Sequence, residues 1–238
     1  MAVTVILSPH QDDAVFSLWH VLSGPGEVRV VNVFAGAPAS ERLGWWDAET
    51  GASDPASRAL ERGREDRAAL GLAGRSSVNL DFVDAQYRDG EPPTEAIAAA
   101  LGASVPDEAL LLAPAGLGGH ADHRLVRSAA LSLRETGRRL ALYADIPHAT
   151  RHGWPGWVTN GQHEREPQEP SEAWRADLDG SGIALGELVA RVHSLDDREA
   201  QGKATALAEY RTQLPALDVE FSLSARPEAL RYEIVWQL

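Results

Sequence analysis

"LSPHQDDAVFS", residues 7–17, decides how the chain is read. The apolar run before it, Val3–Leu7, suits a buried strand, and Asp13–Leu22 after it reads as a helix. His10, Asp12 and Asp13 therefore fall in a strand-to-helix turn. Open α/β sheets build their sites in such turns, at the carboxyl ends of parallel strands. Two readings fit the segment by itself. Aspartate is a favoured N-cap, and acids in a first helical turn complement the helix dipole. An imidazole and a carboxylate three residues apart also suit a divalent metal ion, with Asp12 turned toward a water at that ion.

Working outward, Glu27–Phe34 is a second β-branched strand, and Ser57–Leu72 a helix with Leu60, Ala68 and Leu72 on one side. Ser77–Val83 alternates like a strand, with Val78, Leu80 and Phe82 on one face. Thr94–Ala103 is helical, Ala109–Ala113 a short strand, and Arg139–Ala144 another strand. Asp122–Thr136 places Val126, Ala129, Ala130 and Leu133 at helical spacing. Asp197–Gln213 reads as a helix and Tyr232–Trp236 as a final strand. The alternation predicts an α/β, Rossmann-like fold: a mostly parallel sheet with helices on both faces. One domain is expected over residues 1–238. Residues 151–182 carry five glycines, three prolines and Trp154, Trp157 and Trp174, so a loop-rich excursion of that domain is expected there, as a rim or lid.

Of the 238 residues, 22 are Lys or Arg and 35 are Asp or Glu, a formal charge of −13. That balance argues against nucleic-acid partners, which bind through neutralised phosphates, and against anionic membranes. No apolar run is long enough to span a bilayer. Val3–Leu7 is short and lacks a basic stretch before it, so it does not read as a signal peptide and cytoplasm is the expected compartment. With no cysteine, any metal must be held by His, Asp or Glu.

The turn has a counterpart. "APAGLGGHADHRLVRSAA", residues 113–130, again follows a strand, turns through glycines and opens a helix with His120, Asp122 and His123. Here too Asp122 alone would serve as an N-cap. Taken together, the two turns project from one edge of the sheet. His10, Asp13 and one of the two later histidines make three N/O ligands, the catalytic form of a zinc site. Asp12 and the remaining histidine are left as an acid/base pair.

"SPHQDDAVFS" and "GGHADH" together resemble the PIG-L/LmbE-like zinc-dependent N-deacetylases. "VVNVFAGAP" (30–38), "REDRAALGL" (64–72), "YADIPHA" (143–149) and "KATALAEYRTQL" (203–214) resemble that family's weaker motifs in order. The resemblance implies zinc, or another divalent metal, on His10, Asp13 and His123. It implies Asp12 as general base, His120 as a protonated oxyanion stabiliser, and Asp122 as the acid that tunes His120. Two departures stand out: Gln11 where the family commonly has Pro, and Ala14 where it has Glu.

The implied reaction is hydrolysis of an N-acyl amide, acetyl above all, on an amino sugar or glycosylated small molecule. The alternative is an amidase acting on a thiol conjugate or another N-acyl metabolite; a metal-dependent binding module has no use for Asp12. Trp45 and Trp46 follow the second strand and suit a platform for a sugar face, although packing under a loop fits them equally. Arg64 lies on a solvated helix face within reach of a substrate hydroxyl. Asp84, Tyr87 and Arg88 follow the third strand as further substrate contacts, and Asp145 and His148 as groups behind the ligands. His20, His152, His163 and His193 follow no pattern.

Overall fold

The computed structural model describes residues 3–39, 42–161 and 170–238; His163 lies outside them. Seven strands form one sheet: β1 (Thr4–Ser8), β2 (Val28–Asn32), β3 (Ser77–Asn79), β4 (Leu110–Pro114), β5 (Arg139–Tyr143), β6 (Val189–Ser194) and β7 (Tyr232–Gln237). Their order is β3-β2-β1-β4-β5-β7-β6. The first five are mutually parallel, whereas β7 runs antiparallel to both β5 and β6. β1 is central and almost wholly buried, as expected of an apolar run with no polar alternation.

The chain winds from β1 outward to β2 and β3, then returns to place β4 on the other side of β1. Because parallel crossovers are right-handed, this reversal moves the connecting helices to the opposite face. Accordingly α1 (Asp13–Ser17), α2 (Trp19–Ser23) and α4 (Pro55–Leu72) pack around α8 (Asp197–Leu207). α5 (Thr94–Ser104) and α6 (Ala121–Glu135) pack on each other, and α6 on β4 and β5. α3 (Trp45–Glu49), α7 (Pro170–Asp177) and α9 (Leu214–Phe221) complete the helices of the described residues. The reversal also opens a crevice at the carboxyl ends of β1 and β4, where both His/Asp turns emerge.

Several elements differ from expectation for identifiable reasons. The helix expected over Asp13–Leu22 breaks at Leu18, and α2 restarts with its first amides bonded to Glu233: Trp19 N and His20 N each donate to that carboxylate at 2.9 Å. The apolar side read for α4 is the exposed one, with Leu60 and Leu72 at 62% and 53% exposure. The buried row is Arg58, Arg62, Asp66, Ala69 and Leu70. β3 is an edge strand only three residues long, with Val78 exposed. The expected helix Asp197–Gln213 ends at Leu207, and α9 follows after a turn. The glycine-rich excursion contains α7, and Trp154 and Trp174 are buried with their rings edge-on at 6.1 Å. Among the described residues, no helix is long and apolar enough to cross a membrane.

Candidate active site

The β1 turn is wired by its own polar groups. The Ser8 hydroxyl donates to the His10 carbonyl at 2.6 Å and accepts from the Ala14 amide at 3.1 Å. The His10 amide donates to Asp13 Oδ2 at 2.8 Å. Asp12 occupies the N-cap position of α1, but its carboxylate accepts no capping bond. The helix therefore leaves that carboxylate free, and it lines a cavity with His10, Asp13 and His120.

Across the crevice, the β4 turn passes so close to His148 that a Cβ on Gly118, whose φ is +77°, would lie 2.6 Å from the His148 Cβ. Only glycine fits there. The N-cap of α6 is His120 rather than Asp122: His120 Nδ1 accepts the Asp122 amide at 3.3 Å. An accepting Nδ1 puts the proton of the neutral ring on Nε2.

Three expected ligands converge. Asp13 Oδ2 lies 3.3 Å from His10 Nδ1 and 3.3 Å from His123 Nε2. Tetrahedral zinc with bonds of about 2.0–2.1 Å separates its ligand atoms by about 3.3–3.4 Å. His123 Nε2 is buried with no hydrogen-bond partner. Its other nitrogen, Nδ1, donates to Asp145 Oδ1 at 2.7 Å, which leaves the Nε2 lone pair facing Asp13. His10 is arranged in the same way, with Nε2 donating to Asp122 Oδ2 at 3.0 Å and Nδ1 facing Asp13. A carboxylate behind each ligand imidazole fixes its tautomer, as metal sites require. Among the described residues, three groupings with ligand atoms within 4.8 Å of one another include members of this set: His10, His120 and His123; Asp13, His123 and His148; and His10, Asp84 and Asp122.

The electrostatics favour a cation. Burial pulls the His123 imidazole down, but Asp13 and Asp145 outweigh it and push it up to about 9. His10 is likewise raised well above an ordinary histidine against its burial, by Asp122 and Asp13. A cradle that holds protons this firmly also attracts a divalent ion, which must displace them. Burial, and then the charge of Asp13, raise the Asp12 carboxyl above its usual range. Burial and then the charges of the His10 and His123 imidazoles lower His120 to about 3, a shift toward the neutral ring.

The remaining expected residues divide. The Asp122 carboxylate bonds His10, the Ala85 amide and Arg88, and its charge also acts on His120, raising that imidazole against burial. Arg88, expected at the substrate, is spent on Asp122 and the Val83 carbonyl and stacks over Phe34 at 4.8 Å. Arg64 is exposed and off the cavity. Arg62, two residues earlier on the buried row of α4, lines it together with Arg151, and donates to Asp84 Oδ2 at 3.1 Å. Asp84, Trp45 and Trp46 do line the cavity. Tyr87 instead braces α3, donating to Asp47 at 2.6 Å. His148 and Gln213 line the cavity from the turn after β5 and from the turn before α9. Gln213 went unread because its link to the site, a bond from the Trp46 indole at 2.6 Å, spans 167 residues.

This geometry, a parallel-sheet crevice with a three-ligand His/Asp cradle and a free carboxylate beside it, is that of a hydrolase. A family model, PIG-L (GlcNAc-PI de-N-acetylase), matches residues 5–133, and the chain belongs to that family. Comparison with curated proteins gives no match. Among solved structures, the A40926 pseudoaglycone deacetylase Dbv21 is 27% identical, with a TM-score of 0.71 over 99% of this chain and 96% of its own. A deacetylase triple mutant, Orf2*T, of the teicoplanin biosynthetic pathway is also 27% identical, with a TM-score of 0.71 over 100% and 97%. The N,N'-diacetylchitobiose deacetylase of Pyrococcus horikoshii, 16% identical with a TM-score of 0.51 over 98% and 83%, shares the fold.

Proposed function

We propose that this protein is a divalent-metal-dependent N-deacetylase acting on an acetylated or otherwise acylated amino sugar carried by a larger glycosylated small molecule. The observation that carries the reading is the convergence of Asp13 Oδ2 with His10 Nδ1 and the unpartnered His123 Nε2, beside an Asp12 carboxylate that caps nothing. The A40926 pseudoaglycone and teicoplanin-pathway deacetylases, together with the exposed Trp45, at 64%, support a large scaffold outside the cavity.

His10, Asp13 and His123 would hold the ion, zinc by its N/O donor set. When bound, such an ion supplies the Lewis acidity that activates water and polarises an acyl oxygen. Asp12 takes the proton of the attacking water and returns it to the amine nitrogen as the C–N bond breaks, and its raised pKa brings it closer to the working pH of a general base. His120 acts as a neutral hydrogen-bond donor through Nε2–H toward the developing oxyanion. Asp122 and Asp145 hold the two ligand imidazoles in their donating tautomers. Arg62 and Asp84 offer a fork of donors and an acceptor for sugar hydroxyls.

The test is free-amine release by the zinc-loaded protein from N-acetylglucosamine glycosides and from an N-acylated glycopeptide pseudoaglycone. Release is expected, and Asp12→Asn should cut it by about 10²–10⁴-fold with metal content unchanged. Release from thiol conjugates alone would transfer the protein to the alternative amidase reading. No release from any amide, with stoichiometric metal bound, would overturn the function.

A further inference from the structure

The motif "KATALAEYRTQL" supplies few groups to the chemistry above, yet one of its side chains reaches the base. Tyr210, 1% exposed in the turn after α8, donates its hydroxyl to the Gln11 carbonyl at 2.9 Å. Gln11 and Asp12 share that peptide unit. Rotating its plane swings the Cα–Cβ bond of Asp12, so the phenol restrains the aim of the catalytic carboxylate. A second buried tyrosine, Tyr143, donates to the Leu7 carbonyl at 3.0 Å and holds the other end of the turn.

Behind Tyr210 stands Asp66, 3.2 Å from the phenol oxygen through Oδ1. Its Oδ2 accepts from Ser77 Oγ at 2.6 Å and Asn32 Nδ2 at 2.9 Å. A phenol has one proton. If that proton goes to Gln11, the contact with Asp66 is a hydrogen bond only when Asp66 is the donor. Burial raises the Asp66 carboxyl to about 6, so its acid form is more accessible than that of an ordinary aspartate and grows as pH falls.

We propose that Tyr210 is a positioning residue for Asp12, its hydroxyl fixing the Gln11–Asp12 peptide from a seat against the buried Asp66 carboxyl. The inference rests on Asp12 being the base of the proposed deacetylation.

Tyr210→Phe keeps the ring in the core and removes the restraint. Its kcat should fall by about 10–100-fold with KM and metal stoichiometry unchanged, the signature of a misaimed catalytic group. Asp66→Asn is the isostere of the protonated acid: its amide nitrogen donates to the phenol while its oxygen keeps Ser77 and Asn32. This variant should retain wild-type kcat. Wild-type kcat in Tyr210→Phe, a loss confined to KM, or loss of the metal would overturn the proposal. So would an Asp66→Asn variant as impaired as Tyr210→Phe. Backbone hydrogen exchange over residues 10–13 gives a readout independent of turnover: faster in Tyr210→Phe, unchanged in Asp66→Asn. If the wild-type protein released no amine from any amide, the proposed function would fall, and the exchange measurement would still judge the restraint. Unaltered exchange in Tyr210→Phe would then refute it.

Discussion

Asp13 Oδ2 carries more of the site than any other atom described, bonding the His10 amide and facing both ligand imidazoles. Its usefulness depends on protons held elsewhere. Asp145 accepts the His123 Nδ1 proton through Oδ1 and the Leu117 amide through Oδ2 at 3.0 Å. In Asp145→Asn the oxygen can keep Leu117, which turns the amide nitrogen toward His123. That nitrogen can only donate, so His123 must move its proton to Nε2 and lose the lone pair that faces Asp13. Metal affinity should fall by about 10–100-fold in a chelator-competition titration. An unchanged affinity would free Asp145 of this role. Residue types and spacing made the proposed ligands legible in the sequence. They did not reveal that Asp122 also braces His10, because the two turns meet only in the fold. They also led to Arg64 in place of Arg62. The hydropathy pattern marks apolar faces, and the buried row of α4 runs through Arg58, Arg62 and Asp66.

At the scale of elements, the break between α1 and α2 is sustained by a buried carboxylate. Glu233 on β7 accepts from Trp19 N, His20 N, the His20 ring and Lys203 Nζ of α8, the last at 2.8 Å. Burial would raise its pKa, but Lys203 and His20 outweigh burial and hold it at about 2, against 4.5 for an ordinary glutamate. A depressed carboxyl stabilises the fold above the unfolded value and loses that contribution as protons return. Stability from Glu233 is therefore complete above pH 4.5 and declines as pH falls toward 2. Glu233→Gln leaves Lys203 buried without its counter-charge and should cost about 3–5 kcal/mol by denaturant unfolding at neutral pH. The variant should also show a flatter acid limb; an acid limb identical to wild type would rule Glu233 out as its source. The segment between α8 and α9 fastens other parts of the site in the same manner. Thr212 bonds Glu65 of α4 through its amide and hydroxyl at 2.9 and 2.7 Å, and Gln213 holds the Trp46 indole.

At the scale of the molecule, the sheet's reversal beside β1 gathers residues from both ends of the chain around one cavity. Its outer wall is α3, with Trp45 exposed and Trp46 anchored. Trp45→Ala removes a surface that a scaffold would touch equally in ground and transition states. KM should rise several-fold with kcat and thermal stability unchanged, as for lost uniform binding. A lower kcat would instead draw Trp45 into the chemistry. Alternating strands and helices, the two His/Asp turns and the identities of His10, Asp12, Asp13, His120, Asp122 and His123 were all readable along the chain. Those signals are local: hydrophobic period, glycine turns and residues three apart. Which carboxylate stands behind which imidazole, which face of α4 is buried, and the reach of Tyr210 and Gln213 to the site are long-range contacts. Tertiary structure alone decided them, because they depend on where the β-strands bring distant turns together, and no periodicity encodes that meeting.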